Sequence, residues 1–168
     1  SIYRAKNTLT ILGPKGIRKS TEQLMKLFNT PPEWFREQID PRTKYLEDKD
    51  TDFIRIFPTR HTVPTNAYRV EYRGKTVFYS GDTSYSDNVV EGARDSDYLV
   101  HEMTYTDKDR KLADFWRHST DSDVMKVFDR SGARHLVPVH LTRSSSELVS
   151  SMVGKVEGLV YPADLLEI

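Results

Sequence analysis

Four apolar runs in this sequence end on a side chain that could hold a metal ion or move a proton. Tyr79-Ser80-Gly81-Asp82-Thr83 follows Thr76-Val77-Phe78 and sets a carboxylate on a glycine turn. His61 comes soon after Phe53-Ile54-Arg55-Ile56-Phe57, His101-Glu102 after Tyr98-Leu99-Val100, and His140 after His135-Leu136-Val137-Pro138-Val139. A carboxylate with imidazoles on other loops is the donor set of a metal site, and strand-end loops are where α/β folds gather function. Each has a plainer reading alone, since Gly-Asp-Thr is a common turn with a solvated aspartate. Four together point to a site. His118, in Arg117-His118-Ser119-Thr120, directly precedes a helix start and either packs beside the cap or joins the cluster. Neighbouring strand residues face opposite sides, so only one of His101 and Glu102 should face the site. Glu102 is favoured, and His101 reads as a core histidine. His135, beside Arg134 at a strand start, is set aside.

The elements that must position these residues follow from periodicity and turn chemistry. Thr8–Leu12 reads as a strand, and Leu24, Leu27 and Phe28 share one face of a helix starting near Ser20 and stopped by Pro31-Pro32. Glu33 to Asp52 is irregular and mostly polar, and reads as a surface excursion. Tyr68–Tyr72 and Lys75–Tyr79, joined at Arg73-Gly74, form a β-hairpin. Val89–Arg94 suits a short helix. Thr120 can cap a helix that turns Val124, Val127 and Phe128 inward and ends at Gly132. A helix near Ser145–Val153 and a last strand, Gly158–Tyr161, complete the pass. Strand and helix alternate through the second half, which argues an α/β fold.

Composition narrows the function classes. With 168 residues, 25 basic and 25 acidic, nothing global attracts nucleic acid or an anionic membrane. No apolar run approaches a membrane span, and no membrane partner is expected. There is no cysteine, so disulfides and thiolate metal sites are excluded and any metal must be held by His, Asp or Glu. Absent cysteine does not report a compartment; the expectation taken is cytoplasmic. Gly13–Ser20 is not a phosphate-binding loop, because Arg18 stands where that motif needs glycine. No Gly-x-Ser-x-Gly elbow supports a serine hydrolase.

Several pieces occur in an informative order. They are Leu12-Gly13-Pro14, Pro58-Thr59-Arg60-His61, Tyr79-Ser80-Gly81-Asp82-Thr83, Val100-His101-Glu102-Met103-Thr104, His118-Ser119-Thr120, Val139-His140 and Ala163-Asp164. In this order the chain resembles the C-terminal two-thirds of a metallo-β-lactamase-fold hydrolase of the ribonuclease Z-like branch. The resemblance implies the second part of an αββα sandwich, a single domain over 1–168 that lacks its N-terminal strands. It implies two zinc ions, with His61 a ligand of the first, Asp82 bridging and His140 a ligand of the second. His118 would assist the leaving group or the scissile phosphate, steadied by Glu102. The implied activity is zinc-dependent phosphodiester hydrolysis, with RNA, including tRNA, or a small phosphodiester as substrate.

Two departures from that pattern shape the expectation. The family's His-x-His-x-Asp-His motif is absent, and in the family it lies upstream of the Leu-Gly-Pro element. The chain is therefore expected to be part of a longer enzyme and metal-poor on its own, with a second copy as a possible partner. Only twenty residues separate His61 from Asp82, room for one hairpin where tRNA-processing members carry a long tRNA-gripping arm. The rival reading is a metal-free fold relative acting as an interaction or structural module.

Overall fold

The computed structural model describes residues 8–29 and 42–162. The chain packs as two compact units, Ser1–Lys49 and Asp50–Ile168. In the first, β1 (Leu9–Gly13) pairs in parallel with β2 (Thr43–Glu47), with α1 (Ile17–Leu27) between them in sequence. β2 lies inside the stretch read as a surface excursion, and the structure corrects that reading. Thr-Lys-Tyr-Leu-Glu alternates only loosely, and its strand character comes from a partner more than thirty residues earlier, as is usual for β-structure. α1 begins at Ile17, before Ser20, because its start is fixed from outside. The backbone N–H of Gly16 donates to Glu47 Oε1 at 3.0 Å. Pro31, Pro32, Trp34, Phe35, Ala163 and Asp164 lie outside the described residues.

The second unit is a five-stranded sheet in the order β3 (Ile54–Pro58), β4 (Asn66–Tyr72), β5 (Lys75–Tyr79), β6 (Tyr98–Glu102), β7 (His135–Val139). β3–β4 and β4–β5 are antiparallel, while β5–β6 and β6–β7 are parallel. Only β4 therefore runs against the others. The C-terminal ends of β3, β5, β6 and β7 all open on one edge, where α/β sheets place their ligands. The β4–β5 hairpin turns at Arg73 and Gly74, both with positive φ (49° and 75°), as a two-residue turn matched to strand twist requires.

Helices α2 (Asp87–Gly92), α3 (Arg110–Trp116), α4 (Asp121–Ser131) and α5 (Arg143–Met152) follow in the connections. Val89 and Val90 of α2, Val124 and Val127 of α4 and Val149 of α5 join Phe78, Leu99 and Leu136 of the sheet in one buried core. Gly92 has to be glycine for packing, since a Cβ there would lie 2.3 Å from Phe78 Cε2. Thr120 and Asp123 close a capping box at the start of α4, and Gly132 ends it at φ 67°. α3 has no clear sequence signal. Its run Arg-Lys-Leu-Ala-Asp-Phe-Trp buries only Ala113, and Leu112, Phe115 and Trp116 stay exposed. The strand expected at Gly158–Tyr161 is reduced to a single bridge between Leu136 and Leu159, closed by Leu136 N–H to Gly158 O and Val160 N–H to Leu136 O.

Candidate metal centre

Gly81 aims the carboxylate. Beyond β5 the chain turns through Gly81 at φ 58°, where a Cβ would meet the Asn66 carbonyl oxygen at 2.7 Å. Only glycine fits that left-handed position against a neighbouring strand. Buried Ser80 locks the approach: its N–H donates to Val100 O at 2.9 Å, and its Oγ accepts the Glu102 N–H at 3.0 Å. Asp82 then stands at the sheet edge between two imidazoles. Its Oδ2 is 4.0 Å from His61 Nε2 and its Oδ1 is 3.5 Å from His140 Nδ1.

Each imidazole has a second partner. His61 Nδ1 lies 3.2 Å from the Arg117 carbonyl. A carbonyl can only accept, so Nδ1 carries the proton and Nε2 keeps its lone pair toward Asp82. His140 follows β7 in the left-handed region at φ 55°, which histidine enters more readily than most non-glycine residues. Its Nδ1 is 2.9 Å from Thr104 Oγ1. That hydroxyl donates to Glu102 Oε2 at 2.8 Å, so the proton between Thr104 and His140 belongs to the imidazole. Backing of this kind fixes the tautomer and ring angle of metal-binding histidines.

Glu102 is the buried hub, 1% exposed. Its Oε1 accepts the Thr83 N–H at 2.9 Å and His118 Nδ1 at 2.8 Å, and its Oε2 accepts the N–H and hydroxyl of Thr104. A carboxylate with four donors is well satisfied. His118 reaches it from the loop between α3 and α4, and the His118 ring lies 4.8 Å from that of His61 and 5.3 Å from that of His140. Glu102 thus engages Nδ1 of His118 and fixes the ring at the edge of the cluster.

His101, one residue before Glu102, points into the core and is fully buried. Its Nδ1 donates to the Glu102 carbonyl at 2.7 Å, and its Nε2 has no partner among the described residues. Burial pushes its pKa down, against the smaller opposing effect of that hydrogen bond. It is a neutral core histidine only half satisfied. His135 stacks on Tyr98, away from the cluster, with ring centroids 4.9 Å apart.

The donor set suits a divalent cation. Two ligands on a tetrahedral zinc, each about 2.1 Å from it, lie about 3.4 Å apart. Asp82 Oδ2 and the unprotonated Nε2 of His61 are 4.0 Å apart. His61, Asp82 and His118 form one group of potential ligand atoms within 4.8 Å, and Glu102, His118 and His140 another. Glu102 is spent on hydrogen bonds, which leaves His61, Asp82, His118 and His140 as the side chains of these groups open to a cation. Sequence reasoning named these residues and left out Thr104 and Arg117, which hold His140 and His61. Their only sequence signal is adjacency to Glu102 and His118.

Strands running in one direction that deliver histidines and an aspartate to one edge define an α/β class with a cluster of potential ligands at its sheet edge. The chain belongs to the beta-lactamase superfamily: the model described as beta-lactamase superfamily domain matches residues 1–141. Its fold is that of the metallo-β-lactamases, as in the YhfI protein of Bacillus subtilis (TM-score 0.67, 24% identity, 93% of this chain and 62% of that one). The short form of human tRNase Z superposes with a TM-score of 0.64 at 24% identity, over 84% of this chain and 63% of that structure. In sequence the chain is 37% identical to ribonuclease Z of Bacillus subtilis over 101 residues, 57% of this chain and 33% of that protein. It is 34% identical over 113 residues to a zinc phosphodiesterase ELAC protein 2 homolog of Caenorhabditis elegans, 62% of this chain and 14% of that protein. The matched regions thus span a third or less of these two relatives.

Proposed function

We propose that this chain carries part of the active site of a zinc-dependent phosphodiesterase of the ribonuclease Z type, acting on RNA or a small phosphodiester. The observation that carries the reading is Asp82 standing between His61 and His140, with His118 beside them on buried Glu102. Zinc held there would supply hydroxide from water and charge against the phosphodiester transition state. His61 and Asp82 would hold one ion, and Asp82 and His140 the other. Arg117 and Thr104 keep the two imidazoles in the ligating tautomer. His118 stays outside the ligand set. Glu102 holds its Nδ1–H, and its Nε2 faces the reacting group to give a proton to the departing oxygen, a role worth about 10²–10⁴-fold.

The hairpin between His61 and Asp82 is short, seven residues in β4 and five in β5. A substrate smaller than folded tRNA, such as single-stranded RNA or a dinucleotide, suits that short element better. The test is metal analysis with turnover of bis(p-nitrophenyl) phosphate and of a short RNA, on the protein and on Asp82→Ala. Zinc-dependent cleavage lost together with metal in Asp82→Ala supports the reading. A protein that takes up no zinc even from a large excess and cleaves neither substrate overturns it in favour of a metal-free interaction module.

A further inference from the structure

Next to the metal centre lies an open cleft of about 510 Å³, which shares His61 with it. Pockets of about 300–1,000 Å³ are the usual size for a small ligand, and one nucleotide fits that range. Three arginines line the cleft, Arg60, Arg110 and Arg117, together with Asp114 and Asp123. The arginines are not equivalent. Arg110 is committed, its Nη1 to Asp123 and its Nη2 to Asp107, both at 2.5 Å. Arg117 spends Nη1 on the His61 carbonyl at 3.2 Å. The Arg60 guanidinium has no hydrogen-bond or ion-pair partner among the described residues.

The backbone beneath Arg60 is fixed. Its N–H donates to Thr83 Oγ1 at 3.1 Å, and its carbonyl accepts from the N–H and Oγ of Ser84 at 2.9 and 3.2 Å. Thr83 is itself tied to Glu102 and to Ser119, whose hydroxyl donates to the Thr83 carbonyl at 2.6 Å. A free guanidinium thus sits one residue from a metal ligand, on backbone held by the same hydrogen bonds that set Asp82 and His118. A planar guanidinium matches phosphate oxygens two at a time. With Asp123 neutralised by Arg110, the remaining charges of the cleft are Arg60, Arg117 and Asp114. They leave an excess of one positive charge.

We infer that this cleft is a subsite for a second phosphate of the substrate, one nucleotide removed from the scissile bond, and that Arg60 is the residue that selects it. This rests on the phosphodiesterase reading above. It makes the enzyme prefer oligonucleotides over isolated diesters without a tRNA-gripping arm.

Two substrates that differ by one phosphate test it: thymidine 5′-(p-nitrophenyl phosphate) and its 3′-phosphorylated form. The zinc-loaded protein should prefer the 3′-phosphorylated form. Arg60→Ala should cut that preference about tenfold in kcat/KM, mainly through KM, and Arg60→Lys should restore part of it. Raised salt should shrink the preference in the unsubstituted protein more than in Arg60→Ala. An equal preference in both proteins overturns the inference. So does inhibition by inorganic phosphate that Arg60→Ala relieves with no change in substrate preference, which would assign the cleft to free phosphate. Calorimetric titration with thymidine 3′,5′-bisphosphate gives a readout independent of turnover. If neither ester is cleaved, the phosphodiesterase reading fails by itself, and weaker bisphosphate binding by Arg60→Ala still supports the subsite while an unchanged Kd overturns it.

Discussion

His118 and His101 show how environment divides one residue type into two roles. His118 is partly exposed at the sheet edge, with Nδ1 on a carboxylate. If its role is chemical, His118→Ala should lower turnover about 10²–10⁴-fold and leave bound metal nearly unchanged. Parallel loss of metal and rate, read by metal analysis beside steady-state kinetics, would make it a ligand. His101 is sealed in the core and neutral, its pKa lowered by burial. The unfolded chain takes up a proton at this residue near pH 6.5, and the folded chain resists it. Stability from His101 is thus fully present above about pH 6.5 and is lost as pH falls below it, by at most about 1.4 kcal/mol per pH unit. Urea midpoints between pH 5 and 8 should slope less in His101→Leu, and an identical slope would contradict a neutral buried imidazole.

At the scale of elements, the site depends on strand ends and the turns that leave them. β3, β5, β6 and β7 bring His61, Asp82, Glu102 and His140 to one edge because only β4 is reversed. Gly81 converts the end of β5 into a ligand position. Gly81→Ala meets both a left-handed φ and a carbonyl oxygen at 2.7 Å. It should cost about 1–3 kcal/mol by thermal or urea unfolding and should displace Asp82, weakening zinc uptake more than a surface substitution does. Retained stability with retained metal binding would show that the turn is not constrained as described. β2 and α3 mark the limit of local signals. Pairing with β1 makes Thr43–Glu47 a strand. α3 starts on a short 3₁₀ turn, Asp107–Asp109, and Arg110 is held there by Asp107 and Asp123.

For the whole molecule, the ligand inventory sets an expectation. Sharing Asp82 between two ions gives each only two protein ligands from the chosen set, whereas catalytic zinc usually has three. Protein of residues 1–168 should therefore hold zinc loosely and turn over a generic phosphodiester slowly. Two tightly held zinc ions per chain with fast turnover would refute that count. Phe115 and Trp116 stand side by side on α3, 70% and 49% exposed, with ring centroids 4.9 Å apart. Such a pair is a candidate contact with a second copy of the chain; sedimentation equilibrium should then find self-association, and a monomer at all concentrations would contradict it.

Local chemistry made much of this protein legible. A glycine before a carboxylate, imidazoles after apolar runs and a threonine before an amphipathic helix each carry their meaning in a few neighbouring residues. The hairpin at Arg73-Gly74 and the capped helix at Thr120 could be read for that reason, and so could the candidate residues His61, Asp82, Glu102, His118 and His140. Tertiary structure decided everything that depends on distant partners. It made Thr43–Glu47 a strand, reduced Gly158–Tyr161 to one bridge at Leu159 and placed the Arg117 carbonyl behind His61 and the Thr104 hydroxyl behind His140. Among the described residues it also left the Arg60 guanidinium without a partner beside Arg110 and Arg117, which have them. Hydrogen bonds and ion pairs form between groups that the chain brings within about 3 Å, and sequence spacing does not encode that proximity.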